Sequence, residues 1–156
     1  TGDLLALRGD MCFPIEVKSS KKPKLYLSGR TVLQYKALEE IGIRCSIQPF
    51  YAYRLKGVRG DSWRIFRVKT EGLTGKLRLL SRTVPELPLT RNGTPYLDWN
   101  KGLPLHKFLS LISKSENANN IQTTALEENT NFPMKESIMT QYESSSERTA
   151  SSLSNS

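Results

Sequence analysis

Two apolar runs near the start of the chain, joined by a two-residue turn, constrain the fold more than any other feature. Residues 3–8 read DLLALR and residues 11–18 read MCFPIEVK. Gly9-Asp10 between them supplies a glycine where a tight turn requires positive φ. The pattern predicts a β-hairpin with Arg8 opposite Met11. Both faces of this hairpin are largely apolar, which is typical of a sheet that helices cover on both sides.

The open end of the predicted hairpin carries charge. In this register Asp3 lies directly opposite Glu16, with Cβ atoms ~5 Å apart, and Lys18 shares the face of Glu16. Two carboxylates in a mostly apolar setting repel each other, and a hard divalent cation would resolve the repulsion. A nearby lysine is able to stabilise charge on a phosphate. The alternative is a strand end with ordinary solvated charges, and a bulge at Pro14 would break the register.

The charge of the chain is unevenly distributed. The 156 residues include 23 Lys and Arg against 15 Asp and Glu, a formal net charge of +8. Residues 1–113 hold 20 basic and nine acidic residues, a net of +11, whereas residues 114–156 hold three and six, a net of −3. A basic surface of this kind favours a polyanionic partner, either nucleic acid or an anionic membrane surface.

Composition also bears on the compartment of the protein. No apolar run approaches the ~18 residues of a membrane helix, and no signal-peptide pattern opens the chain. The two cysteines, Cys12 and Cys45, are too few for a secreted disulfide scaffold. We expect both to be buried free thiols in a reducing, cytoplasmic compartment.

Residues 114–156 differ in kind from the residues before them. They are rich in Ser, Asn, Thr, Glu and Gln, without a sustained period. Such a segment buries too little apolar surface to offset the entropy of ordering it. We therefore expect a folded core over residues 1–113 and a disordered polar tail over residues 114–156. An alternative for part of the tail is a short amphipathic turn that docks on a partner, formed by Met134, Ile138, Met139 and Tyr142.

The sequence of the remaining core residues predicts a mixture of helices and strands. A helix is expected over Gly29–Ile41, with Ser28 as its N-cap and Gly42 just past its end. Strands are expected over Ser46–Lys56 and Ser62–Lys69, which carry aromatic and β-branched residues. Further on, KLRLLSRTV fits either a strand or a short helix, and a short amphipathic helix is expected over 103–112.

The order and spacing of several short motifs resemble the PD-(D/E)XK nuclease superfamily, and more closely the archaeal Holliday junction resolvases of the Hjc type. The resemblance spans roughly residues 2–111. The motifs that carry it are Gly2-Asp3-Leu4, Pro14-Ile15-Glu16-Val17-Lys18-Ser19, Ser20-Lys21-Lys22, Leu25-Tyr26-Leu27 and Gly60-Asp61-Ser62-Trp63-Arg64.

This resemblance implies an α/β fold, a restriction-endonuclease-like mixed sheet flanked by helices. It implies that Asp3 and Glu16 are metal ligands, that Lys18 is the catalytic lysine, and that the cofactor is Mg²⁺ or Mn²⁺. The activity implied is structure-selective, metal-dependent cleavage of four-way DNA junctions in recombination and repair. A resolvase cuts two strands symmetrically, so a homodimer with twofold symmetry is expected, without a membrane partner. Leu38 and Ile41 are candidates for its interface, with core packing as the alternative.

DNA contacts are expected from basic residues interleaved with aromatics, which suit a surface that follows phosphates. Similar nucleases carry a polar residue on the helix that faces the site, which makes Gln34 a candidate, although a plain surface glutamine fits equally well. A solvated outer face is the alternative for the basic residues. The candidate DNA-binding residues are Lys21, Lys22, Lys24, Arg30, Gln34, Arg54, Lys56, Arg59 and Arg64.

Two other functions stay open at this point. One is a related repair or restriction-type nuclease with a different DNA substrate, and the other is a catalytically silent DNA-binding module of the same fold. Nucleases of this kind place a further metal-site glutamate on a helix upstream of the Asp3 strand. The sequence as given begins at Thr1 without such a helix. We therefore expect the chain as given to bind branched DNA but to cleave it poorly.

Overall fold

A computed structural model of the chain describes residues 2–114. The predicted polar tail, after its first residue, and the amphipathic turn within it lie outside the described residues. No helix in the described range is long and apolar enough to cross a membrane. The elements in chain order are β1 (Leu4–Arg8), β2 (Met11–Ser20), β3 (Lys24–Tyr26), α1 (Arg30–Cys45), β4 (Phe50–Leu55), β5 (Trp63–Arg67), α2 (Gly75–Thr83), β6 (Tyr96–Asp98), a 3₁₀ turn (Trp99–Lys101), β7 (Leu103–Pro104) and α3 (residues 105–114).

Five strands form one mixed sheet in the order β1-β2-β4-β5-β7. β2 and β4 run parallel, joined through β3 and α1, and the other neighbours are antiparallel. A separate two-stranded sheet pairs β3 with β6. The α/β class, with a mixed sheet between helices, is the class that the sequence predicted.

The predicted hairpin register is confirmed. Arg8 pairs with Met11 and Leu4 pairs with Ile15, and the turn glycine Gly9 has a φ of 58°. Pro14 lies opposite Leu5 without a bulge. Counted from the turn, this is a pair without ladder hydrogen bonds, and β4 begins only opposite Ile15, so the missing N–H of the proline interrupts neither ladder.

The sheet separates two apolar clusters. On one side, α2 and α3 cover the side chains Met11, Phe13, Phe50, Ala52, Ile65, Leu80, Val84, Phe108 and Ile112. On the other side, α1 and the small sheet cover Leu27, Tyr35, Leu38, Tyr51, Tyr53, Phe66, Val68, Leu87 and Leu97. Because successive strand residues point to opposite faces, β4 and β5 supply both clusters.

The prediction that helices cover both faces of the whole hairpin is wrong for β1. This strand lies at the sheet edge, and its Leu4, Leu5 and Leu7 side chains are 58%, 63% and 72% exposed. The inner strand β2 is covered as predicted, with Phe13 only 1% exposed. The leucine pattern of β1 matched that of a buried strand because periodicity reports which face a residue occupies, not whether another element lies over it.

Helix α1 runs past its predicted end at Ile41. Gly42 lies inside the helix, buried where a Cβ atom would approach Cγ2 of Thr70 to 2.5 Å, so the glycine serves a close helix contact. The helix ends at Cys45, and Ser46 adopts a left-handed conformation as its C-cap. The predicted N-cap is also wrong, since Gly29 occupies that position and no side chain caps the helix.

The other boundaries shift by a few residues. The two predicted strands correspond to β4 and β5, and both are shorter than predicted. Residues 46–49, the predicted start of β4, form the connection from α1 instead. KLRLLSRTV forms helix α2, and the predicted 103–112 helix begins two residues later, after β7. Both cysteines are free thiols, but Cys45 is exposed and Cys12 is half-buried, which contradicts the predicted burial.

Candidate active site

A buried ion pair marks the open end of the hairpin. Glu16 on β2 is 4% exposed, and the Lys18 Nζ atom lies 2.8 Å from its Oε1 atom. Lys18 also donates a hydrogen bond of 3.2 Å to Oε1 of Gln34, which extends from the second turn of α1. The lysine ammonium therefore bridges the central sheet and the helix that covers it. Of the two interpretations left open for Gln34, the structure supports the one that places its side chain at the site.

Asp3 lies one residue before β1, in line with the predicted position opposite Glu16. Its Oδ2 atom accepts a hydrogen bond of 2.9 Å from the backbone N–H of Val17. That bond orients the Asp3 carboxylate across the end of β2, beside the residue that follows Glu16 in the chain. Asp3 and Glu16 line the same pocket of about 460 Å³, formed with Gly2, Arg30, Leu33, Gln34, Ala37 and Leu38.

Both polar and apolar side chains line the pocket. The floor is the end of the hairpin, which contributes both carboxylates, and the wall is the first half of α1. Leu33 on this wall is 65% exposed, whereas Leu38 is 1% exposed and belongs to the core. Leu38 therefore packs in the core, the alternative interpretation of its role, and is not available for an interface.

The hydroxyl of Tyr51 is a third polar group close to the two carboxylates. It pairs with Glu16 across the parallel β2 and β4 strands. Its hydroxyl is a buried oxygen without a hydrogen-bond partner among the described residues. Burial, followed by the negative charge of Glu16, then Tyr35 and Asp3, raises the pKa of the Tyr51 hydroxyl well above its usual range. This hydroxyl stays protonated, so it presents an unsatisfied donor on the side of the acidic site.

The donor set of the pocket fits a hard divalent cation. Asp3 and Glu16 each have one oxygen engaged by a protein donor in the bonds above, and each carboxylate has a second oxygen. Mg²⁺ is typically held by one or two carboxylates together with substrate phosphates and waters. Within residues 2–114 no group of three or more His, Cys, Asp and Glu side chains able to hold a metal lies together. Among the side chains of the described residues, these two carboxylates are the ones that the pocket offers to a cation.

The loop after Lys18 is basic and exposed, and it is anchored from beneath. Lys21, Lys22 and Lys24 are all exposed. The Tyr53 hydroxyl donates to the backbone carbonyl of Lys22, and the Lys22 N–H donates to Oγ of Ser20 over 3.0 Å. The anchored backbone holds three lysines beside the end of β2, the strand that carries Glu16 and Lys18.

The other predicted DNA contacts fall into two groups. Arg30 lines the carboxylate pocket, and Arg54, Lys56 and Arg59 are exposed on and after β4. Arg64 is held internally instead. Its Nη1 atom lies 3.0 Å from Oδ1 of Asp61, and its guanidinium carbon lies 3.8 Å from the centroid of the Trp99 ring. A guanidinium that is committed to these neighbours is less available to a phosphate than the exposed cations.

Two features of the site were not found from the sequence. The role of Tyr51 depends on the parallel pairing of β2 with β4, which brings residues 35 positions apart into register. The stacking of Trp99 on Arg64 depends on the 3₁₀ turn that follows β6. Local patterns carry no signal for such long-range pairings, although the aromatic content of β4 marked it as a strand.

Similarity to known proteins is found among solved structures. No protein-family model matches the chain, and no curated protein sequence matches it. The fold is similar to that of Hjc, a Holliday junction resolvase from the archaeal hyperthermophile Archaeoglobus fulgidus. The two chains are 23% identical, the match covers 68% of this chain and 71% of that chain, and the TM-score is 0.43.

Proposed function

We propose that this protein is a metal-dependent endodeoxyribonuclease that cleaves a phosphodiester in branched DNA. The observation that carries the proposal is that Asp3 and Glu16 line one pocket at the end of the central hairpin, with the Lys18 ammonium 2.8 Å from Glu16. This combination of groups suits hydrolysis of a phosphodiester, because carboxylates can hold a metal ion and an ammonium can stabilise negative charge on the phosphate.

Each residue has a separate task in this proposal. Asp3 and Glu16 would hold Mg²⁺ or Mn²⁺, which when bound supplies a Lewis acid and an activated water. The ammonium of Lys18 has three N–H donors, of which Glu16 and Gln34 accept two. The third is available to a phosphate oxygen, and the two occupied donors restrict the direction in which it points. Lys18 would therefore stabilise charge that develops on the phosphate in the transition state.

The DNA would be held through its backbone. Residues 1–113 carry a net charge of +11. Arg30 lines the carboxylate pocket, and the exposed lysines of the 21–24 loop follow the strand that carries Glu16 and Lys18, so these cations would hold the phosphates next to the cut. A four-way junction presents two strands related by symmetry, so we propose a homodimer with twofold symmetry as the active assembly. Ile41, which is partly exposed on α1, stays a candidate for its interface.

The test is cleavage of a synthetic four-way junction beside a linear duplex, with Mg²⁺, with Mn²⁺ and without metal. The variants are Glu16→Gln and Lys18→Ala, and Glu86→Gln serves as the matched control because Glu86 forms an ion pair of 3.1 Å with Arg67 away from the pocket. In a form of the protein that carries the upstream helix, we expect metal-dependent cleavage that falls by at least about 10²–10³ in each site variant, with DNA affinity preserved. Lys18→Arg keeps the charge of the pair and separates loss of chemistry from loss of folding.

A second candidate function is a DNA-binding module without catalytic activity. It is favoured by the two Lys18 contacts, because a lysine bonded to both Glu16 and Gln34 also suits a purely structural ion pair. The module predicts junction binding without cleavage under any metal condition. Cleavage by Glu16→Gln within tenfold of the wild-type rate would mean that the reaction takes place elsewhere.

A further inference from the structure

Two stacked tyrosines lie on the outer face of the small sheet. Tyr26 on β3 and Tyr96 on β6 are cross-strand partners, with ring centroids 5.2 Å apart and an interplanar angle of 27°. Tyr26 is 57% exposed. One face of its ring contacts Tyr96, which leaves the other face towards solvent.

The core does not require these rings. Side chains alternate along β3 and β6, so Leu25 and Leu97 point towards the core cluster beneath the sheet. Leu97 is fully buried, and the tyrosines on the opposite face add only a cross-strand contact between two three-residue strands. A large apolar surface is thus held in a fixed orientation, in solvent, by a sheet whose packing depends on other residues.

One cation lies against the tyrosine pair, and three further lysines lie close to it in the chain. The Lys101 Nζ atom lies 5.9 Å from the centroid of the Tyr96 ring. Lys24 is on the same strand as Tyr26, where its Nζ atom lies 4.0 Å from Oδ2 of Asp98, and the exposed Lys21 and Lys22 precede it in the anchored loop. Aromatic faces combined with a basic path for the backbone are the features with which proteins bind unpaired nucleic acid, because each base offers a π-face.

We propose that Tyr26 and Tyr96 form a stacking platform for an unpaired DNA base. Eight residue steps separate Lys18 from Tyr26, and a chain spans at most ~3.3–3.6 Å per residue, so their Cα atoms lie within about 29 Å of each other. The inference rests on the proposed function and specifies its substrate class. The favoured DNA has an unpaired nucleotide near the cut, as at a branch point, a gap or a flap.

The experiment uses 2-aminopurine, a fluorescent base that is quenched when it stacks on an aromatic ring, in EDTA so that no cleavage takes place. One DNA carries it at an unpaired position in a gap, and a second carries it within a full duplex. The proteins are wild type, Tyr26→Ala, Tyr26→Phe and the control Leu79→Ala, which removes a side chain that is 66% exposed on α2. A thermal melt of each variant reports on folding.

We expect quenching of the unpaired base by the wild-type protein and by Tyr26→Phe, which keeps the ring. Tyr26→Ala should lose the quenching and bind gapped DNA about 5- to 150-fold more weakly, the range for loss of one base–aromatic stack, while its affinity for duplex is unchanged. Leu79→Ala should match the wild type. Equal quenching by Tyr26→Ala, or an equal loss of affinity for gapped and duplex DNA, would overturn the platform. Absence of metal-dependent cleavage alongside intact quenching would instead overturn the nuclease and leave the platform standing.

Discussion

The two faces of the β1–β2 hairpin are built from the same two strands and have opposite characters. The face towards α1 ends in Asp3 and Glu16 and opens into the carboxylate pocket. The face towards α3 is an apolar groove of about 310 Å³, lined by β1, β2, β4, β5 and α3. Phe13, in the middle of this groove face, is 1% exposed, whereas Leu4 at its edge is 58% exposed.

The contrast between Glu16 and Phe13 shows what the burial of a charged side chain requires. Alternation along β2 places Glu16 on one face and Phe13 on the other, and both are almost fully buried. Phe13 needs only apolar neighbours, but a buried carboxylate requires a partner with opposite charge and hydrogen bonds. Lys18 supplies the charge from the same strand and α1 supplies a second acceptor for that lysine through Gln34. The polar face therefore depends on contacts from two elements, and the apolar face depends on coverage alone.

The largest expected effect is that of salt on DNA affinity, and variants on the two sides of the sheet test whether DNA binds to the pocket face. With ~6–10 phosphate contacts, affinity for a four-way junction should fall by about 10³–10⁵ between 50 and 200 mM salt and should depend little on base sequence. Lys21→Ala and Lys22→Ala should each lower the slope of log affinity against log salt by about 1. Arg78→Ala and Arg82→Ala on α2, across the sheet, are the controls and should leave the slope unchanged.

Fluorescence anisotropy across a salt series measures these slopes. A larger loss of slope from the two α2 variants than from the two loop variants would move the DNA to the groove face. A flat salt response of the wild-type protein would contradict phosphate-dominated binding altogether.

A pair of truncations on the groove face is expected to have the next largest effect. Phe13→Ala removes a ring that is 1% exposed and should lower the free energy of unfolding by about 3–5 kcal/mol. Leu4→Ala removes a side chain that is 58% exposed, and surface substitutions usually stay within ~0.5 kcal/mol. Urea unfolding at neutral pH measures both values. If Leu4→Ala were as costly as Phe13→Ala, the groove edge would be covered in solution and the contrast between the two side chains would disappear.

The sequence was sufficient for the features that local pattern and turn chemistry determine. The Gly9-Asp10 turn and the alternation of side chains set the hairpin register, and that register is enough to place Asp3, Glu16 and Lys18 together. The basic loop after Lys18 and the existence of α1, β4 and β5 also followed from local pattern. These features share one property, namely that residues close in sequence or joined by one turn decide them.

What the sequence missed depends on contacts between distant residues. Gly42 was expected just past the end of α1, but it lies inside the helix. A glycine is needed there because Thr70 and Pro49 leave no room for a Cβ atom. The exposure of β1 and the position of Tyr51 beside Glu16 depend on which strand becomes the edge and which runs parallel to β2. A single sequence contains no local signal for strand order, so coverage and cross-strand neighbours were the features that pattern alone did not supply.

Alkaline pH separates the buried tyrosines of the pocket face from the exposed ones. Burial, followed by Glu39, raises the pKa of Tyr35 to about 12, and burial with Glu16 raises the pKa of Tyr51 further. The folded state therefore binds these protons more tightly than the unfolded chain, whose tyrosines ionise near ~10. Their contribution to stability is complete below pH ~10 and is lost as pH rises through the folded values, at up to about 1.4 kcal/mol per pH unit for each group.

Urea unfolding at closely spaced pH values between 9 and 11 tests this expectation. Tyr51→Phe should reduce the decline, and it should not destabilise the protein at neutral pH, because it removes a buried hydroxyl without a partner among the described residues. Tyr26→Phe, at a ring that is 57% exposed, is the matched control and should leave the decline unchanged. An identical pH profile for Tyr51→Phe and wild type would mean that the Tyr51 hydroxyl is hydrated in solution.

The smallest expected effect comes from removing the hydrogen bond between Lys18 and Gln34 of α1 on the pocket face. Gln34→Ala removes the 3.2 Å acceptor for Lys18 while the 2.8 Å pair with Glu16 persists, so the ammonium keeps its charge but loses one of its two constraints. One hydrogen bond contributes about 0.5–1.5 kcal/mol, so the cleavage rate under single-turnover conditions should fall about 2- to 10-fold, with DNA affinity unchanged. Glu40→Ala, at the exposed Glu40–Arg44 pair of the same helix, is the control and should leave the rate unchanged. A weaker affinity at an unchanged rate would make Gln34 a DNA contact, and no change in either would mean that Glu16 alone directs Lys18 towards the phosphate.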